Sequence, residues 1–224
     1  MSTENAALEK MLKYLASVPT GYVTDVFLRL GLRGWIKGLK PLSPFAGPHL
    51  AGPALTLQWA PIRGKKSPGP GVYDLLRAHA AGCVVVLAGG SDGVNMGDNM
   101  CTQAKVAGAR GLMLDGALRD VQEIRELGMP VFHRYTAIER DDTLEIIGVN
   151  VPVICAGATI HGGDIVVADE DGGIVIPSEY LAEVVENVRD VARLEKMQAE
   201  LIQANAPMDE LKKVMAAKKT PIKK

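Results

Sequence analysis

Two short stretches carry the residue types that chemistry on a small acid needs. The first is Gly97-Asp98-Asn99-Met100, which follows the loop Gly90-Ser91-Asp92-Gly93 and opens a predicted helix. A helix start presents unpaired backbone N–H groups and a partial positive charge, a natural seat for a carboxylate. Gly97 lets a ligand approach the backbone closely. Asp98 can cap the helix, orient a water or take a proton. The second stretch is Asp115-Gly116-Ala117-Leu118-Arg119-Asp120, between a predicted strand at Gly111–Leu114 and a predicted helix at Asp120–Leu127. The planar fork of Arg119 matches a carboxylate in two parallel hydrogen bonds. Asp120 offers hard oxygens of the kind magnesium takes, and magnesium commonly uses only one or two protein carboxylates. Adjacent Arg and Asp can thus hold two ends of one oxo acid. Arg119 would take the carboxylate, and a cation on Asp120 would take the 2-oxo oxygen and one carboxylate oxygen. The plain alternative for both stretches is a capped helix start.

The elements around them set the geometry. Apolar periodicity predicts helices at Ala6–Ala16 and Gly21–Leu30, with Thr20 or Thr24 as cap and Gly31 as stop. Strand-like and helical runs then alternate: Ala54–Trp59, Val72–Ala81, Cys83–Ala88, Asp98–Gly108, Gly111–Leu114, Asp120–Leu127 and a strand from Val131. Pro61–Gly71 reads as a surface loop. That alternation is the signature of a parallel sheet with helical crossovers. Both stretches would then face one crevice at the ends of neighbouring strands. After Asp142 the helices stop. Leu144–Val149, Val151–Cys155, Asp164–Ala168 and Gly173–Pro177 predict a second, antiparallel sheet. From Glu179 an apolar stripe runs through Leu181, Val184, Val188, Val191 and Leu194 and fades near Asn205. A helix that long is expected to pack on a neighbouring subunit, the alternative being its own sheet. The division is residues 1–177 as the catalytic domain and 178–224 as a helical extension.

The 224 residues suit one domain with an appendage. With 25 Lys and Arg against 26 Asp and Glu, the formal charge of −1 gives no general pull toward nucleic acid or anionic membrane. Lys212, Lys213, Lys218, Lys219, Lys223 and Lys224 read as a solvated, fraying tail. Cys83, Cys101 and Cys155 have neither disulfide nor metal-ligand spacing, and Cys83 and Cys155 read as core thiols. His49, His79, His133 and His161 form no pair at metal spacing; His161 reads as a surface residue and His133 as a residue that could line the crevice. No phosphate loop, dinucleotide fingerprint or serine nucleophile elbow is present. The polar start Met1–Asn5 lacks a signal region, and Cys83–Ala88 is too short to span a bilayer. The expected location is cytoplasmic.

Gly97-Asp98 through Arg119-Asp120, with Gly108, Gly111, Asp115 and Gly116 between them, resembles the RraA-like family and its 4-hydroxy-4-methyl-2-oxoglutarate (4-carboxy-4-hydroxy-2-oxoadipate) aldolases. Gly128-Met129-Pro130-Val131-Phe132, Val149-Asn150-Val151-Pro152-Val153 and Gly162-Gly163-Asp164 through Asp171-Gly172-Gly173 extend the likeness from about Gly21 to Pro177. The resemblance implies a layered β/β/α, swivelling-domain-like α/β fold, assembled as a homotrimer or a dimer of trimers with the site between subunits. It implies that Gly97, Asp98, Asn99 and Met100 contact a small 2-oxo acid, that Arg119 binds its carboxylate, and that Asp120 ligates Mg2+ or Mn2+. A neighbour's C-terminal glutamate, Glu195 or else Glu200, would support the metal's waters. The implied reaction is a metal-assisted retro-aldol cleavage releasing pyruvate, with oxaloacetate decarboxylation as a second activity. Its base would be a water held by Asp98 or a metal hydroxide. The resemblance equally admits a protein regulator of ribonuclease E that acts by binding, or a lyase for another oxo acid or sugar acid.

Overall fold

In this computed structural model, residues 3–42, 49–66 and 68–222 are described. Met1, Ser2, Lys223 and Lys224, and Ser67 of the expected surface loop, lie outside them. The sheet is organised around one long strand, β3 (Leu50–Pro61), with the short strands β1 (Trp35–Ile36) and β2 (Lys40–Pro41) before it. The second part of β3, Ala54–Gln58, pairs in parallel with β4 (Val84–Ala88). From β4 the parallel order continues to β6 (Gly111–Leu118) and β7 (Val131–Thr136), and β2 closes that edge antiparallel to β7. The first part, Leu50–Pro53, pairs antiparallel with β11 (Ile165–Asp169), followed by β12 (Gly172–Ile176) and β1. β5 (Val94–Met96) adds to the end of β6, and β8 (Leu144–Val149) to the end of β3. β9 (Val153–Cys155) and β10 (Ala158–Ile160) form a separate antiparallel hairpin. The parallel centre and the antiparallel remainder are therefore both present, and β3 joins them.

Pro53 marks the changeover. Proline cannot donate to a ladder, so Gly52-Pro53 reads as a break and the strand is expected only from Ala54. The break falls where β3 leaves β11 for β4, and the carbonyl of Asp164 takes the Ala54 N–H at 2.7 Å.

Side chains alternate across the sheet with the two-residue period of a strand. Val85 and Leu87 of β4 face α3 (Val72–His79), α4 (Asp98–Val106) and α5 (Val121–Glu126), packing with Leu76, Ala104 and Ile124. Val84 and Val86 face the β9–β10 hairpin and pack with Phe132, Cys155 and Ile160. Both faces are covered, which is why the run Val84–Ala88 is uniformly apolar. A third core joins β11 and β12 to α1 (Thr3–Leu15), α2 (Thr20–Leu30) and α6 (Leu181–Gln203).

Gly31 stops α2 in the left-handed conformation, as expected. Neither Thr20 nor Thr24 caps it: Pro19 holds the cap position and makes no side-chain cap bond. Buried Asp169 serves instead, accepting from the Thr20 N–H and the Thr20 hydroxyl, each at 2.8 Å. That partner lies 149 residues away, beyond any local capping rule.

The C-terminal helix stripe, Leu181 to Leu194, is buried within the chain, against α1, α2 and the antiparallel strands. The helix then breaks at Asn205, and α7 (Met208–Lys219) folds back onto α6 and α2. The tail through Lys219 is thus a packed helix rather than a fraying end. Lys218 is largely buried and ion-paired with Glu195, and lies 3.6 Å from Asp25. Among the described residues no helix is long and apolar enough to cross a membrane.

The thiols differ in access. Cys101 and Cys155 are buried, and burial pushes both up to about 12, whereas Cys83 is only half-buried just before β4. Cys83, with its thiol raised only by partial burial, is the one an alkylating reagent reaches in the native state. Mass spectrometry after brief labelling at neutral pH should find the adduct on Cys83, and equal labelling of Cys101 would contradict this packing.

Candidate functional site

The carboxyl ends of β5 and β6 assemble the site. Met96 pairs with Leu118, and the Arg119 N–H donates to the Met96 carbonyl at 3.1 Å, so the chain leaving each strand runs beside the other. Gly97-Asp98 and Arg119-Asp120 are neighbours because β5 exists. Three residues give too short a period to read, and Gly89–Asn95 reads as a loop from sequence. The expected strand end at Leu114 is also early. β6 runs on to Leu118 through an irregularity between Leu114 and Ala117. Asp115 and Gly116, expected beyond the strand end, lie within it. Asp115 bonds Arg134 at 2.5 Å and accepts the Ala156 N–H at 2.6 Å, tying β6 to β7 and the hairpin. A Cβ on Gly116 would meet Asn95 Oδ1 at 2.4 Å, so that strand position must stay bare.

Asp120 sits in the left-handed region, φ 60° and ψ 44°, which aspartate tolerates better than most residues. That turn aims its carboxylate away from its own helix α5, to which it gives no side-chain cap bond, and toward α4. Oδ2 accepts the Asp98 N–H at 3.3 Å and lies 3.5 Å from Arg119 Nε. Asp120 thus fills the anion seat at the start of α4 that the sequence reserves for a ligand carboxylate. Asp98 makes no cap bond of its own, and its Oδ1 accepts from the Asn99 amide at 3.2 Å. Gly97 is bare for a reason: a Cβ there would lie 2.6 Å from Asp120 Oδ2.

These residues line a cleft of about 280 Å³ that holds Gly97, Asp98, Asn99, Met100, Arg119 and Asp120. Arg119 is half-exposed and has Asp120 as its ion-pair partner, leaving its terminal nitrogens turned to no carboxylate among the described residues. Asp120 Oδ1 likewise accepts no hydrogen bond there. A single hard carboxylate with one open oxygen, backed by a glycine, fits a cation that keeps most of its waters. Among the described residues no three His, Cys, Asp or Glu side chains converge as a cage.

Glu195 does not join this cleft within the chain, and its carboxylate is engaged by Lys218. Glu200 is exposed and only 4.0 Å from Lys196. His133 is also absent from the lining; burial lowers its pKa, and its Nδ1 has no hydrogen-bond partner among the described residues. His161 is exposed beside Asp164, as expected. Tyr73, Asn95, Arg140 and Asp141 line the cleft and are missed by the sequence reading. Arg140 and Asp141 carried no local signal, since 20 or more residues separate them from Arg119-Asp120. A larger hollow of about 780 Å³ lies elsewhere, between α1 and β3; its Arg110 is already paired with Glu9, and it carries none of this chemistry.

The class that emerges is a layered α/β protein with a guanidinium and a carboxylate side by side at the carboxyl ends of parallel strands. More particularly, the chain belongs to the RraA-like family: the Aldolase/RraA description matches residues 20–175. A Halalkalibacterium halodurans protein provisionally named a 4-hydroxy-4-methyl-2-oxoglutarate aldolase is 32% identical over 163 residues, 72% of this chain and 73% of that one. The crystal structure of an uncharacterized Pseudomonas syringae pv. tomato protein superposes with a TM-score of 0.80 at 26% identity, covering 91% of this chain and 93% of its own. Streptomyces coelicolor RraAS2, described as an unusual member of the RNase ES inhibitor RraA family, gives 0.77 at 28% identity, covering 85% and 97%.

Proposed function

We propose that the protein is a divalent-metal-dependent aldolase that cleaves 4-hydroxy-2-oxo acids such as 4-hydroxy-4-methyl-2-oxoglutarate to pyruvate and a second oxo compound, and that decarboxylates oxaloacetate. The observation that carries the reading is Asp120 Oδ2 lying 3.5 Å from Arg119 Nε and 3.3 Å from the Asp98 N–H, in one open cleft. Arg119 holds the substrate carboxylate through its two free nitrogens and so fixes the pyruvyl unit. Asp120 holds Mg2+ or Mn2+, which when bound supplies positive charge against the negative charge developing at the 2-oxo group. Cleavage of the C3–C4 bond leaves its electron pair on the pyruvyl fragment, while the 4-hydroxyl proton departs. Asp98, half-buried at the cleft wall, takes that proton directly or through a water.

The test is pyruvate release from oxaloacetate and 4-hydroxy-4-methyl-2-oxoglutarate, with magnesium and with chelator. Release that is lost on chelation and restored by magnesium is the expected result; release indifferent to chelator sinks the metal. The likeness to RraAS2 favours a second reading, in which the chain binds a ribonuclease. Failure on both substrates together with ribonuclease binding would select it.

The proposal includes a homotrimer or dimer of trimers. Exposed Ile138, Ile147 and Ile154 support an assembled state. Because Lys218 occupies Glu195, Glu200 is the more open carboxylate to offer a neighbouring site. Light scattering at low micromolar concentration reads the assembly directly.

A further inference from the structure

The cleft does not end at Arg119 and Asp120. It adjoins a second hollow of about 350 Å³ lined by Trp59 and Ile146 together with the charged Lys66 and Glu145, and Arg140 stands on the wall the two share. The backbone around Arg140 is fixed: the Val94 N–H donates to the Glu139 carbonyl at 2.7 Å, and the Asp141 N–H to the Val94 carbonyl at 3.2 Å. The adjacent carboxylate is spoken for. Asp141 Oδ2 accepts from Ser91, and Oδ1 accepts the Thr143 N–H at 2.8 Å and hydroxyl at 2.6 Å. Among the ion-paired arginines, Arg29 is held by Asp190, Arg110 by Glu9 and Arg134 by Asp115. The Arg140 guanidinium has no ion pair or hydrogen bond among the described residues.

We propose that Arg140 binds a second carboxylate at the far end of the substrate and so selects 2-oxo diacids over 2-oxo monoacids. This rests on the reading that Arg119 takes the first carboxylate. Two guanidiniums in one trough, with the Asp120 carboxylate at one of them, match a ligand negative at both ends. Tyr73, Met96 and Met100, which line the cleft the two arginines share, suit the carbon chain and a small substituent on C4. Arg140 is a specificity residue, remote from the bond that breaks, so its removal acts on substrate capture.

The experiment compares the wild type with Arg140→Met and Arg140→Lys, in magnesium. Pyruvate release is measured from 4-hydroxy-4-methyl-2-oxoglutarate and from the monoacid 4-hydroxy-2-oxopentanoate. Arg140→Met should lose about tenfold to a hundredfold in kcat/KM for the diacid, the loss lying in KM, with the monoacid unchanged. Arg140→Lys should recover part of it. Equal losses on both substrates, or none on the diacid, overturn the assignment. Calorimetry with 2-oxoglutarate and 2-oxobutyrate needs no turnover and separates the two claims. If no substrate is cleaved but 2-oxoglutarate still binds more tightly and only while Arg140 is present, the aldolase reading fails and the diacid site stands. If the wild type binds both compounds alike, the diacid site falls.

Discussion

Asp120→Asn is expected to lower pyruvate release by about 10³-fold while leaving the protein folded. Asparagine keeps the shape and keeps a carbonyl oxygen for the Asp98 N–H, so the start of α4 stays satisfied. What it loses is the charge, and with it the attraction for a divalent cation and for Arg119. Asp120→Ala removes the acceptor too, and should cost about 1 kcal/mol of stability in addition. The pair of variants thus separates capping from catalysis. Raising magnesium should rescue neither fully, because the lost ligand is the carboxylate paired with Arg119. Turnover by Asp120→Asn within tenfold of the wild type would remove Asp120 from any metal-holding role.

The largest stability effect is expected at Asp169. Asp169→Ala strands the Thr20 N–H, the Thr20 hydroxyl and the Asp171 N–H, two of them buried. Unsatisfied buried donors cost about 1–3 kcal/mol each, and water can reach Asp171, so the net loss is about 3 kcal/mol. For a chain of this size that lowers Tm by roughly 6–12 °C. Thr20→Val, which removes the hydroxyl alone, should cost about 1 kcal/mol. Equal melting temperatures for Asp169→Ala and the wild type would mean that α2 does not depend on this anchor.

The elements legible in the sequence are those whose signal is periodic and local. Both N-terminal helices, the buried strand at Val84–Ala88 and the stripe of α6 declare themselves by spacing. The misreadings share a cause, a breaker residue with a tertiary purpose. Pro53 lies outside the expected strand but marks a change of partner, and Gly116 lies beyond the expected strand end but makes room for Asn95. α7 looks like a basic tail because its anchors, Glu195 and Asp25, are distant in sequence. The same limit applies to the site. Arg119-Asp120 is visible as a motif, and its closeness to Gly97 follows from parallel-strand logic. Arg140 is invisible, because nothing local distinguishes an arginine left unmatched from one that is solvated.

The twelve residues of β3 have a consequence for how the molecule comes apart. One strand supplies hydrogen bonds to β11 with its first third and to β4 and β8 with the rest, so neither region keeps its central member if the other lets go. A nick or insertion at Gly52-Pro53 would strip the keystone from both at once. The chain through Ile176 should therefore melt in one step, and its halves, expressed separately, should not hold structure on their own.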